Sequence, residues 1–91
     1  MMATQFNSVW DALEDDPVKR ENMKLRSQLM IEINAKLDQD SEKQADIAER
    51  LQITQPRVSA LRKGKINDFR LDMLIDFAHR LDLQVSINVA A

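Results

Sequence analysis

Between Thr54 and Lys65 the chain carries Arg57, Arg62, Lys63 and Lys65 and not one carboxylate, with the Gln55 amide and the Ser59 hydroxyl among them. Side chains of these types do two things to a polyanion. Cations neutralise phosphates without regard to sequence, whereas Arg and Gln match the edges of individual bases with paired hydrogen bonds. Covalent chemistry fits poorly. The sequence offers no nucleophile–base pair, no metal cluster and no glycine-rich phosphate loop. His79, the only histidine, has no cysteine or second histidine with which to share a metal. No catalytic residue, metal or cofactor is therefore expected.

Two short helices would hold this surface. Ile47, Ala48 and Leu51 share one face of a first helix, and Val58 and Leu61 share one face of a second. Ile53 falls between them, where a turn side chain can plug the angle. Ala48 is small enough for a close crossing. Thr54 is a good N-cap, Pro56 sits in the first turn where its missing N–H is harmless, and Gly64 suits a left-handed cap after the helix. Residues 44–63 thus read as a helix-turn-helix whose second helix lies in the major groove of DNA. Gln55, Arg57, Ser59 and Ala60 would face base edges. Lys63, Lys65 and Arg62 would hold phosphates, although Arg62 could equally form an internal ion pair. A basic helical hairpin without a nucleic-acid partner would share these features.

The composition sets bounds. Ninety-one residues make one domain, and an apolar fraction of 44% with one Gly and two Pro argues a folded, mainly helical chain. The absence of Cys fits a reducing cytoplasm. No apolar run is long enough to span a membrane, and no signal-peptide core is evident. The net charge of −2 hides an asymmetry, because residues 1–16 hold Asp11, Glu14, Asp15 and Asp16 with no base. Local potential, not net charge, governs contact with phosphate.

Residues 1–16 read as an arm with a short helix capped by Ser8. Its apolar side is Val9, Trp10 and Leu13, which either cover an edge of the core or grip another protein. Asp15-Asp16-Pro17 opens the main domain, residues 17–82. A long helix from Pro17 to about Leu37 follows, with Met23, Leu25, Leu29, Met30, Ile33 and Leu37 as its apolar stripe and room for a break near Asn22. Ser41 with Gln44 matches a capping box, and Asp68 is the expected cap of a last helix reaching about Leu81. Residues 83–91 alternate apolar and polar, as a half-buried strand does. An unpaired strand needs a partner. Leu83, Val85, Ile87 and Val89 would pair with a second copy across a twofold axis, giving a homodimer, or else with a partner's sheet edge.

The unit at 44–63 resembles the helix-turn-helix of the phage-repressor class, the XRE or Cro/C1 type, through Ala48, the aliphatics Ile47, Leu51, Val58 and Leu61, and Ile53. The run Leu61-Arg62-Lys63-Gly64-Lys65, then Phe69, Leu71-Asp72-Met73-Leu74 and the apolar tail, is similar to small antitoxins of the HigA type. The resemblance spans roughly 8–90. It implies a mainly α, five-helix phage-repressor-like domain with a C-terminal strand pairing across a dimer. By the family's pattern Gln44 would bind a phosphate and brace Gln55, with Thr54 also near the DNA backbone. It implies a repressor of a near-palindromic double-stranded operator that also neutralises a RelE-like or HigB-like toxin, with Val9, Trp10 and Leu13 as candidate toxin contacts. A stand-alone regulator of the same fold is the alternative, and a helix-turn-helix kept only for protein contacts is a third. Two positions depart from the pattern. Gln52 stands where Gly is common and must take a positive φ or a modified turn. Arg70 stands where relatives often carry a capping Ser.

Overall fold

A computed structural model describes residues 16–91. The expected short helix at Val9–Leu13 lies outside the described residues. Four α-helices and one 3-10 turn follow: α1 Pro17–Asp40, α2 Gln44–Leu51, α3 Gln55–Arg62, the turn Ile66–Asp68, and α4 Leu71–Arg80.

Asp16 starts α1, its carboxylate accepting the Val18 amide at 2.9 Å, with Pro17 in the first position. The helix runs 24 residues, about 36 Å at 1.5 Å per residue. No break occurs near Asn22. Its buried side is Ser27, Met30, Ile33 and Leu37, one per turn, while Leu25, expected in that stripe, is exposed. α4 packs along this side through Leu74, Phe77 and Ala78. α2 and α3 pack on each other and close the core with Ile47, Leu51, Val58 and Leu61. Phe69 plugs the space between α3 and α4 and meets Phe77 edge to face, with centroids 5.9 Å apart.

Each helix is followed within two residues by a left-handed residue: Ser41 (φ 54°), Gln52 (59°), Gly64 (75°) and Asp82 (62°). Only α3 uses glycine for this purpose. The Gln52 amide reaches the carbonyls of α2's last turn, and Ile53 N–H bonds the Ala48 carbonyl at 3.0 Å. Gln52 therefore performs the turn that glycine commonly performs.

Three expectations are corrected. Ser41 ends α1 instead of opening α2: its amide bonds the Leu37 carbonyl at 3.1 Å, and Lys43 occupies the N-cap of α2 without a side-chain hydrogen bond. Asp68 does not cap α4. Burying Phe69 forces it and Arg70 into extended backbone, so the helix starts two residues later with Arg70 at the N-cap and no side-chain capping hydrogen bond. The first-turn carboxylate is Asp72, which accepts the Met73 amide at 3.0 Å. Among the described residues no strand forms. Leu83 anchors to the core, its amide on the Ala78 carbonyl at 2.9 Å, but Val85, Ile87 and Val89 are exposed and have no strand beside them. Among the described residues the domain is thus mainly α with four helices and no strand, and the fifth expected helix lies outside them.

Candidate nucleic-acid interface

The outward face of α3 begins at Thr54, whose hydroxyl accepts the Arg57 amide at 3.4 Å. Gln55 stands exposed in the first turn. Gln44, at the start of α2, donates from Nε2 to the Gln55 backbone carbonyl at 3.2 Å, so its side chain braces the start of α3 where the helices converge. Beside them a shallow groove of about 310 Å³ is lined by Glu42, Gln44, Ser59, Arg62 and Lys63. Ser59 is half-buried there, and Ala60 is half-buried with its methyl against the core. Gln44, Gln55, Ser59 and Lys63 therefore share one surface. Lys65 lies just past Gly64, its amide on the Ala60 carbonyl at 3.1 Å.

The two arginines of α3 are engaged within the fold. Arg62 donates from Nη1 to both the carbonyl and Oδ1 of Asn34 at 3.0 Å and pairs with Asp38 through Nη2, so the internal ion pair is the one formed. Asn34 in turn donates from Nδ2 to the Leu61 carbonyl at 3.0 Å, capping the end of α3. Arg57 sits over the Phe69 ring, 4.4 Å from its centroid, and donates from Nη1 to the Asp68 carbonyl at 2.9 Å.

These pairings shape the local field. Three carboxylates before the helix pair are matched by internal cations: Asp38 by Arg62, Glu42 by Arg50, and Asp40 by Arg50 and Lys36, whereas Asp46 and Glu49 on α2 are exposed and form no ion pair with a described residue. Arg50 also reaches Asp82 at 3.5 Å and the Arg80 carbonyl at 3.3 Å, tying α2 to the ends of α1 and α4. The hydrogen bond to Glu42 is the main cause that lifts the Arg50 pKa above its ordinary value, against the opposing pull of desolvation. Lys43, Lys63 and Lys65 are left exposed and form no ion pair with a described residue. The uncompensated positive charge of this face is therefore lysine charge.

Residues 12–90 match the helix-turn-helix domain family. A solved structure bearing the name "Putative XRE Family Transcriptional Regulator" is 34% identical, with a TM-score of 0.75, over 80% of this chain and 82% of that one. The chain belongs to the XRE-type helix-turn-helix family. No curated protein matches it.

Within this XRE-family fold, sequence reasoning missed Asn34, Lys43 and Arg50. Asn34 was detectable as a polar residue at the margin of an apolar stripe, and Lys43 as a cation beside Gln44. Nothing local marks Arg50, whose partners lie in three other segments. The candidate toxin contacts Val9, Trp10 and Leu13 lie outside the described residues. His79 is exposed on α4, and no cluster of metal-ligating side chains occurs among the described residues. No described helix is long and apolar enough to cross a membrane.

Proposed function

We propose that this chain is a sequence-specific, double-stranded DNA-binding regulator of transcription that inserts α3 into the major groove. One observation carries the reading: Gln44, Gln55 and Ser59 share an outward face flanked by Lys43, Lys63 and Lys65, while Asp38, Asp40 and Glu42 beside it are internally paired. Gln55 and Ser59 read base edges, with Ala60 close enough for apolar contact, and Gln44, Thr54, Lys63 and Lys65 hold the backbone. Arg62 borders this face, its charge matched by Asp38. The name of the 34% identical structure supports the same class of activity.

The exposed, alternating Val85, Ile87 and Val89 support assembly as a homodimer through the tail. Such a dimer reads two half-sites roughly 34–36 Å apart, hence a near-palindrome. The finer reading is an antitoxin that represses its own promoter and neutralises a RelE-like or HigB-like toxin. It rests on the HigA-like run from Leu61 to Leu74 and on the apolar tail. A stand-alone regulator accounts equally well for the helix-turn-helix itself.

A fluorescence-anisotropy titration on duplex from just upstream of the gene, at two salt concentrations, tests both levels. Saturable, sequence-dependent binding that the neighbouring gene's product shifts supports the antitoxin. Specific binding indifferent to that product favours the stand-alone regulator. Absence of specific binding, both here and in a selection from random sequence, would sink the DNA reading.

A further inference from the structure

Resting on the DNA-binding reading, we infer that Arg57 is a positioning residue that fixes the first turn of α3, and that base discrimination falls to its neighbour Gln55. Arg57 is half-buried, unlike Gln55, and its guanidinium is used on three sides. The Phe69 ring lies under its carbon at 4.4 Å, the Asp68 carbonyl takes Nη1 at 2.9 Å, and the Met73 sulfur lies 3.9 Å from Nη2. Phe69 is itself 1% exposed and braced edge to face by Phe77, so the platform cannot yield easily. A planar cation stacked on an immobile ring and hydrogen-bonded along its edge is held in orientation as well as place.

The other end of α3 shows why this matters. There Arg62 and Asn34 tie the helix to α1. Arg57 supplies the matching tie at the N-terminal end, to the 3-10 turn and α4. The recognition helix is thus mounted at both ends by arginines bonded to other segments of the fold. For Arg57 to reach a guanine it must leave the ring and strand the Asp68 carbonyl. Gln55 can reach a base with its side chain while its backbone carbonyl keeps the bond from Gln44.

The test uses the full chain, a preferred duplex found by selection, and a panel of single-base-pair variants of it. Arg57→Met keeps the length of the side chain and removes the stack and donors. It is expected to weaken binding about tenfold across the whole panel, with base preferences kept in rank. The salt slope should stay within half a unit of the parent, because no phosphate contact is lost. Arg57→Lys, which restores charge without the planar stack, should not rescue affinity. Gln55→Ala should erase preference at one position. In the free protein, hydrogen exchange at Val58 and Ser59 should quicken in Arg57→Met, with α1 unchanged.

Loss of preference at a single base pair in Arg57→Met would make Arg57 a reader and overturn the inference. So would a salt slope lower by about one unit, or full rescue by lysine. Unchanged exchange in the free protein would overturn it without any DNA. If the parent binds no duplex specifically, the DNA reading fails, and the exchange result still decides whether Arg57 mounts the helix.

Discussion

The helix pair at 44–62 and the tail at 83–91 are both rich in aliphatic residues, yet they meet opposite fates. In the pair, Val58 and Leu61 are wholly buried and Leu51 nearly so, each against a neighbour in the same chain. In the tail, exposure rises from 40% at Val85 to 79% at Ile87 and 86% at Val89. A helix satisfies its own backbone and needs a partner for one face only. A strand needs a partner for its backbone too, and the chain supplies none among the described residues. The pair finds its partners among the described residues, whereas the apolar side of the tail finds none there.

The sharpest way to break that contrast is to truncate one side chain in each region. Leu61→Ala should cost about 3 kcal/mol, since a fully buried leucine loses transfer energy and leaves a cavity. Ile87→Ala should leave protomer stability within about 0.5 kcal/mol, as surface substitutions do. Urea unfolding of both variants checks this. A destabilisation by Ile87→Ala comparable with that of Leu61→Ala would show that folding and tail pairing are one event.

Ile87→Asp sharpens the comparison from the other side. A charge in a self-paired apolar strand should convert dimer to monomer in sedimentation and weaken binding to a full palindrome by about tenfold or more. Affinity for an isolated half-site should not change. Equal weakening on both duplexes would instead place the tail at the DNA.

Arg50 is the joint between the helix pair and the rest of the fold, so its removal gives an intermediate effect. Arg50→Met leaves Glu42 without its cation and Asp40 with Lys36 alone, and should cost about 1 kcal/mol, because the partners are part-exposed and screened by solvent. The loss should shrink at high salt. A raised folded-state pKa means that the arginine's contribution holds below the ordinary arginine range and fades only above it. A salt-independent loss measured by thermal unfolding would point to packing of the arginine stem instead.

These contrasts also explain what was readable beforehand. Thr54, Gly64, Asp16 and the positive φ of Gln52 were legible because capping and turning are settled within about four residues. The partners of the arginines were not, although an internal ion pair was one of the two roles open to Arg62. Arg57 finds partners 11 and 16 residues away, and Arg62 finds its own 24 and 28 away. A sequence shows that a cation is present but not which carbonyl waits for it. Asp68 failed as a cap for the same reason: the start of α4 is set by where Phe69 is buried, which is a tertiary fact. The alternation of the tail was read correctly as a pattern. The strand it implies requires a partner backbone, and none stands beside it among the described residues.

The smallest expected effect tests the local half of this account. Gln52 holds φ 59° between α2 and α3, a conformation that costs an L-residue roughly 1–2 kcal/mol relative to glycine. Gln52→Gly removes that cost but adds about 0.5–1 kcal/mol of unfolded-chain entropy. The net should be a stabilisation of about 0.5 kcal/mol, seen as a higher urea midpoint with an unchanged slope. Gln52 is exposed, so no packing loss should offset the gain. If the glycine variant is less stable, the turn does not stand on backbone conformation alone, and the glutamine side chain contributes a contact that a capping rule cannot supply. If it is more stable, the helix pair carries local strain that folding alone does not require. The angle between α2 and α3 could then be altered at this residue without disturbing the core.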